Sequence, residues 1–299
     1  MDNYHIPVLL HQSVDGLAIN PNGTYVDVTY GGGGHSSEIL SRLTNGKLIA
    51  FDQDADAIAN KADSDNLILV RGNFRFLQNY LRYEGFTQVD GLLADLGVSS
   101  HHFDAEQRGF SFRFDAELDM RMNQESELTA KTVLNEYAVH QLKSIFRMYG
   151  EVNNVGRLVS VIDTYRQQNK FETINQFKEV LEPIMPQKMQ SKYLAKVFQA
   201  LRIEVNQEME VLKEMLMHTI NVIKPGGRLS VITYHSLEDR LVKNFIKNGM
   251  FEGQPEKDLY GNVDVPFKAV NRKIIIPDEA EIERNNRARS AKLRIAERL

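Results

Sequence analysis

The chain contains no cysteine in its 299 residues. That excludes disulfides, thiolate catalysis and any cysteine-held metal or iron–sulfur centre. No apolar run approaches the ~20 residues that span a bilayer. Residues 1–10, with Asp2, His5 and Pro7, lack the basic and apolar blocks of a signal peptide. The expectation is a cytoplasmic protein with no membrane partner. Positive charge is not in surplus either: 36 Lys and Arg face 40 Asp and Glu, for a net charge of −4. A generic nucleic-acid coat protein is disfavoured, and any contact with nucleic acid must come from a local patch. The eight histidines show no H-E-x-x-H or comparable ligand spacing, so no metal is expected. There is no repeat, no low-complexity segment and no Ser/His/Asp constellation. What remains is an ordinary globular composition, 42% hydrophobic and 25% charged, long enough for one large or two ordinary domains.

Against that background one stretch stands out. Thr24-Tyr25-Val26-Asp27-Val28-Thr29-Tyr30 reads as a buried strand, Gly31 to Gly34 follow, and His35-Ser36 lead into a helix. Each glycine costs about 1 kcal/mol against alanine in a regular element. Four in a row suit a backbone that turns sharply or lets something approach closely. Ser36-Ser37-Glu38 before Ile39, Leu40 and Leu43 predicts a helix start. Strand, glycine turn and helix N-terminus together form a nucleotide-type cofactor site. Further apolar runs at Lys47–Asp52, Leu67–Val70 and Val89–Asp95 alternate with helical stretches at Asp54–Ala62 and Phe74–Tyr83. Continuous apolar strands alternating with helices predict a doubly wound parallel α/β sheet, with ligands outside the carboxyl ends of the strands.

The rhythm then changes. From about Phe103 to Lys196 only helical periodicity is visible, at Thr129–Tyr149, Asn154–Gln167 and Thr173–Ile184. Residues 103–199 hold 13 basic and 13 acidic residues, so this block has no bulk basic character. Tyr193 to Ile223 reads as one long helix, Arg228 to Tyr234 as a fifth strand, and His235 to about Lys247 as a helix. Ile274–Ile276 and Leu293–Ala296 could form a last antiparallel pair. Lys268 to Leu299 carries nine basic and five acidic residues, the one clearly basic stretch. The expected division is a core in two parts, 1–104 and 196–299, with a helical, substrate-recognising insert at 105–195.

Several residues could carry chemistry. As a G-x-G-x-x-G fingerprint the loop is incomplete, because Ser36 takes the third glycine's place. Asp52, 21 residues beyond Gly31, can accept hydrogen bonds from both hydroxyls of a ribose. The same spacing suits S-adenosylmethionine (SAM), which has no phosphate to hold. Asp95 closes the fourth strand and could hold a cofactor amine or take a proton from a nitrogen nucleophile; the plainer reading is a helix cap or a paired acid. Phe74 could stack on an adenine or simply belong to the core. Gly109–Asp115 and Leu118–Met122 mix aromatics with arginines, among them Phe110, Phe112, Arg113 and Arg121. That suits base stacking and phosphate holding, and equally a hinge. His235 opens a segment that could be a helix cap with exposed charges.

Asp27-Val28-Thr29-Tyr30-Gly31-Gly32-Gly33-Gly34-His35-Ser36, Ala94-Asp95-Leu96-Gly97-Val98-Ser99-Ser100, Arg108-Gly109-Phe110-Ser111-Phe112, Leu118-Asp119-Met120-Arg121-Met122, Phe198-Gln199-Ala200-Leu201-Arg202-Ile203, Tyr234-His235-Ser236-Leu237-Glu238-Asp239-Arg240 and Asn286-Arg287-Ala288-Arg289-Ser290 stand in order along the chain. Together they resemble the signature blocks of the RsmH family, also called MraW. Those proteins are SAM-dependent methyltransferases acting on N4 of a cytidine in the decoding region of bacterial small-subunit (16S) ribosomal RNA. The resemblance implies a Rossmann-like SAM-dependent methyltransferase core with an inserted all-helical domain. It also implies a cofactor site of Gly31, Gly33, Gly34, His35, Asp52, Phe74 and Asp95, with Asp95 the catalytic candidate. A further cofactor position falls on His102, where relatives commonly carry Gln after Pro. Near Gln187 to Lys196 the chain lacks the Gly-His-Pro-Ala run of many relatives.

On the substrate side the candidates are Phe110, Phe112, Arg113, Arg121, His235, Arg287 and Arg289, with Arg284, Lys292 and Arg294 as further phosphate contacts. The expected partner is small-subunit ribosomal RNA or the 30S subunit, bound by a monomer or homodimer. Two rivals stay open. One is a nicotinamide-dependent oxidoreductase using the glycine loop and Asp52; the other is a non-catalytic ribosome-assembly factor.

Overall fold

The computed structural model describes residues 7–59, 61–98, 105–253, 255 and 263–299. The chain divides into two compact units, Met1–Gly97 with Met209–Leu299, and Val98–Glu208.

The first unit is built on a seven-stranded sheet in the order β3-β2-β1-β4-β5-β7-β6. Its strands are β1 (Thr24–Asp27), β2 (Lys47–Asp52), β3 (Leu67–Arg71), β4 (Val89–Asp95), β5 (Ile223–Thr233), β6 (Phe267–Ala269) and β7 (Lys292–Arg298). β1 to β5 are mutually parallel. β7 runs antiparallel to β5, and β6 antiparallel to β7. The helices of this unit are α1 (Leu10–Asp15), α2 (Gly34–Ser41), α3 (Ala55–Ala59), α4 (Leu77–Tyr83), α10 (Glu208–Val222), α11 (Ser236–Asn248) and α12 (Glu279–Arg284).

The strands are continuous apolar runs because both faces are covered. Alternation along β1 and β2 sends Val26, Ile49 and Phe51 to one core cluster, with Leu77 of α4, Leu212 and Met215 of α10 and Phe245 of α11. Tyr25, Leu48 and Ala50 go to another, with Val14 of α1 and Ile39 of α2. Fully burying one such side chain contributes about 1.5–3 kcal/mol. This is the doubly wound, Rossmann-like α/β arrangement that the sequence predicts.

The second unit is helical: α5 (Ala130–Glu136), α6 (Val139–Met148), α7 (Val155–Arg166), α8 (Ile174–Leu181) and α9 (Gln190–Asn206). It is wider than 105–195, because Val197, Phe198, Leu201 and Val205 of α9 lie in its core. Phe198 sits beside Phe112 and Phe177, with ring centroids 5.5 and 6.1 Å away. No helix among the described residues is long and apolar enough to cross a membrane.

Four local expectations need correction. α2 begins at Gly34, not at Ser36. The long helix expected at Tyr193–Ile223 is two, broken at Gln207, whose φ of 51° is left-handed. β5 starts at Ile223; its register shifts between Val89 and Gly91, and Pro225, Gly226 and Gly227 lie in the irregular stretch. The expected last pair shrinks to one antiparallel bridge, Ile275 to Leu293. β7 pairs instead with β5 and with the three-residue β6.

One cross-brace in the helical unit explains two of the sequence blocks. Met120 is fully buried yet has φ of 63°. Asn206 holds it there: Nδ2 donates to Met120 O (2.8 Å) and Oδ1 accepts from Met122 N (2.8 Å). Arg108 Nη2 donates to Arg121 O (3.1 Å) and Met122 O (3.0 Å). Asn206→Ala leaves two buried backbone groups without those partners, at about 1–3 kcal/mol each. Urea unfolding of this variant is expected to show about 2–6 kcal/mol of lost stability.

Candidate active site

The site grows from the point where β1 ends between its two neighbours. Val28 N donates to Leu93 O of β4 (3.0 Å), while Tyr30 N donates to Phe51 O of β2 (2.8 Å). α2 then leaves β1 on the way to β2, and β4 lies on the other side. That is the switch point at which ligands bind in such sheets. Asp27, fully buried, anchors the turn: Oδ2 accepts from Ser36 Oγ (2.7 Å) and Oδ1 from Thr29 N (3.0 Å). Ser36 therefore ties α2 to β1 instead of capping it. Thr29 Oγ1 accepts from Asp95 N (2.7 Å), so the end of β4 is fixed to the same turn.

The glycines are needed for two separate reasons. Gly31 and Gly33 have φ of 51° and 77°, the left-handed region. A Cβ on Gly33 would also lie 2.9 Å from Tyr30 Oη, which accepts from Ala62 N. Gly33 N donates to Tyr30 O (2.7 Å) and Ser37 N to Gly33 O (2.8 Å), so the turn closes directly into α2. The first amides of a helix have no intrahelical acceptor and face a ligand's anionic end.

Asp52 joins the loop by a direct bond. Its Oδ2 accepts from Gly31 N (2.8 Å) and its Oδ1 from Asp54 N (2.9 Å). Next along the edge, Gly72 N donates to Asp52 O (2.8 Å), and Asn73 Oδ1 caps the turn that carries Phe74. Phe74 is half-buried and packs against the sheet's core cluster. That placement agrees with the reading of Phe74 as a core residue.

Asp95 lies at the end of β4, its side chain 12% exposed. Tyr234 Oη donates to Asp95 Oδ1 (2.7 Å), and His35 Nδ1 lies 3.7 Å from Oδ2. The other ring nitrogen of His35 is 3.1 Å from Val8 O. Burial raises the Asp95 carboxyl to about 6, while His35 and the Tyr234 hydroxyl pull it partly back. The Tyr234 phenol is pushed well above its ordinary value, by burial first and then by Asp95. Tyr234 is itself held by Glu238, 2% exposed, whose Oε2 accepts from Tyr234 N (2.8 Å).

Tyr234 and Glu238 stand within one of the sequence blocks, yet nothing local to that block assigns either a role. Parallel register pairs Asp95 with Ile232, which carries Tyr234 just beyond the end of β4. That pairing joins segments 139 residues apart in sequence and has no local signature.

The remaining predicted residues are placed as follows. Gly31, Gly33, Gly34, His35, Asp52, Phe74 and Asp95 share the carboxyl edge of the sheet unit. His102 lies outside the described residues. His235 caps α11: its Nδ1 accepts from Glu238 N (3.4 Å). In the helical unit Phe110 is buried and Phe112 packs against Phe198, so both serve its core. Arg121 is clamped on Asp119 by Nε (2.8 Å) and Nη2 (2.7 Å), and its Nη1 donates to Gln124 O and Ser126 O. It braces its own loop and leaves little for a phosphate. Arg113 is exposed. Of the basic tail, Arg287 and Arg289 are exposed on a short 3₁₀ turn. Lys292 and Arg294 are both tied to Asp239, at 3.5 and 2.8 Å.

The description of the MraW methylase family matches residues 2–299. Ribosomal RNA small subunit methyltransferase H of Flavobacterium johnsoniae is 59% identical over 297 residues, 99% of this chain and 98% of that protein. The protein of the same name from Bacteroides thetaiotaomicron is 59% identical over 296 residues, 99% of this chain and 97% of its own. That from Christiangramia forsetii is 57% identical over 297 residues, 99% and 98% of the two chains.

Proposed function

The chain belongs to the MraW methylase family, and from that premise we propose that it transfers a methyl group from SAM to N4 of a cytidine in the decoding region of small-subunit (16S) ribosomal RNA. The observation that carries the cofactor assignment is the buried Asp95. Its described partners are a phenol and an imidazole, with no lysine or arginine among them. SAM brings two positive groups, a sulfonium and an amine, which suit such a carboxylate. A nicotinamide dinucleotide could also place a ribose on Asp52, but it offers Asp95 no aliphatic amine and no sulfonium.

In this reading the amides of Gly34 and His35 take the cofactor's carboxylate, with Gly33 shaping the turn through its bond to Tyr30 O, while Asp52 takes its ribose and Phe74 its adenine. When bound, SAM supplies an electrophilic methyl group. The chain's own task is positioning. The N4 lone pair is delocalised into the cytosine ring, so the amine must be aligned behind the methyl and shielded from water. Alignment of this kind can lower a barrier by about 7–11 kcal/mol. As the N4–C bond forms and the S–C bond breaks, N4 gives up a proton. Asp95, ionised above pH 6, orients the cofactor's amine or N4 and can receive that proton.

The cytidine must be unstacked to react. The exposed Arg113, Arg287 and Arg289 serve as phosphate contacts. The partner is small-subunit ribosomal RNA or the 30S subunit. Equilibrium calorimetry separates the cofactors: the account requires saturable SAM binding and no detectable NAD binding. The opposite pattern would sink it.

A further inference from the structure

A recess of about 420 Å³ opens on the sheet unit between α11 and the outer strands β6 and β7. Its apolar lining includes Ile246, Phe267, Leu293 and Ile295, all at or below 6% exposure. Its cationic lining is Lys243 and Lys247 from α11, Lys268 from β6, and Arg272, Lys273 and Arg294. Among the described residues no aspartate or glutamate side chain lines it. Arg294 is paired with Asp239. The other five are exposed, and among the described residues no side-chain hydrogen bond or ion pair engages them.

Lys243 and Lys247 are an i,i+4 pair of like charges, which repel by about 0.2–0.5 kcal/mol, offset in part because Lys247 lies in the last turn of α11. The three remaining cations gather around the same opening in a chain of net charge −4. Like charges with no aspartate or glutamate side chain beside them among the described residues, set around an apolar floor, suit a polyanion with an apolar part. The volume is in the range of small-ligand pockets. An unstacked base on an aliphatic floor with phosphates on a cationic rim meets both requirements.

We propose that this recess binds a nucleotide of single-stranded RNA flanking the methylated cytidine. The proposal rests on the RNA-methyltransferase reading above and adds a substrate contact to it. Geometry supports the link. α11 begins beside Tyr234 and Glu238, at the edge where Asp95 lies. Lys243 and Lys247 stand five and nine residues beyond Glu238, about 7.5 and 13.5 Å down the helix axis at 1.5 Å per residue. An RNA strand leaving the catalytic edge along α11 would reach the recess within that distance. None of Lys243, Lys247 and Arg272 belongs to the cofactor edge.

The test uses the full chain and a fluorescein-labelled oligouridylate twelve-mer, read by anisotropy between 50 and 200 mM KCl. The triple variant Lys243→Gln, Lys247→Gln, Arg272→Gln is expected to bind at least ten times more weakly at 100 mM. Its slope of log K against log salt should be shallower by about 2, since each single-strand phosphate contact contributes ~0.7. A charge-keeping variant, Lys243→Arg with Lys247→Arg, should retain native binding. An abasic twelve-mer should bind the native chain several-fold more weakly than oligouridylate; equal binding would make the recess a bare polyanion site and overturn the nucleotide assignment. An unchanged slope and affinity in the triple variant would overturn the site itself. Methyl transfer is measured in parallel. Normal transfer with unchanged RNA binding in the triple variant removes the recess alone. Absent transfer by the native chain, with oligouridylate binding lost in the triple variant, removes the methyltransferase reading alone.

Discussion

Asp95→Asn is expected to reduce kcat/KM for methyl transfer by about 10²–10³, the usual loss when one preorganised electrostatic group is removed from a site. The same change should stabilise the fold at pH 8. Both effects follow from one carboxyl group, 12% exposed, that accepts from Tyr234 and has no lysine or arginine among its described partners. Its folded pKa of about 6 lies above the ordinary 3.8. The folded state therefore binds this proton more tightly than the unfolded state. The associated stability is fully present below pH 3.8 and is lost as pH rises through 6. Above that, burying the charge costs at most about 3 kcal/mol, since each tenfold change in proton affinity corresponds to about 1.4 kcal/mol.

Asparagine keeps an acceptor for Tyr234 and removes the charge. Urea unfolding should show the variant more stable at pH 8, with the advantage shrinking toward pH 4. The native enzyme's kcat/KM should fall as pH drops through about 6, and the variant should lack that limb. Measuring SAM affinity and single-turnover transfer separately shows whether Asp95 serves the cofactor or N4. No change in either measurement would remove it from the site.

Asp52→Ala is expected to weaken SAM binding at least a hundredfold. Hydrogen bonds to a charged acceptor contribute about 1.5–3 kcal/mol each, and a ribose offers two hydroxyls. The loss goes further, because Asp52 also holds the loop through Gly31 N and the next turn through Asp54 N. Asp52→Asn keeps one oxygen as acceptor, so its loss should be smaller. Calorimetric titration with SAM reads both variants. If Asp52→Ala bound SAM as tightly as the native chain, the ribose assignment would fail.

What is legible in the sequence is what is locally encoded. β2 and β4 run from Lys47 to Asp52 and from Val89 to Asp95 as expected, because a doubly buried strand is a continuous apolar run and each ends on an acid. That pattern places Asp52, Asp95 and the loop on one edge. It does not reveal the bond between Asp52 and Gly31, though the spacing hints at it. Tyr234 is hidden because its contact with Asp95 depends on β5 lying beside β4. Gln207 breaks a helix in a left-handed conformation with neither glycine nor proline to signal it. β6 is too short for a periodic pattern and exists because β7 pairs with it.

Arginines and aromatic residues gathered across Gly109–Asp115 and Leu118–Met122 suggest RNA contact. The geometry instead shows Arg121 on Asp119 and Phe112 on Phe198. Composition cannot separate a stacking surface from a packed loop. Four of the cations around the recess, Lys268, Arg272, Lys273 and Arg294, lie in the basic stretch that the sequence shows, but their convergence with Lys243 and Lys247 of α11 depends on tertiary packing and has no local signature.

The central claim is the identity of the product. Small ribosomal subunits from cells lacking this protein, incubated with the purified chain and SAM carrying a labelled methyl group, would be digested to nucleosides and analysed by mass. The account predicts label in N4-methylcytidine from the decoding region. Label on a ring carbon or a ribose hydroxyl, or no transfer at all, would contradict it.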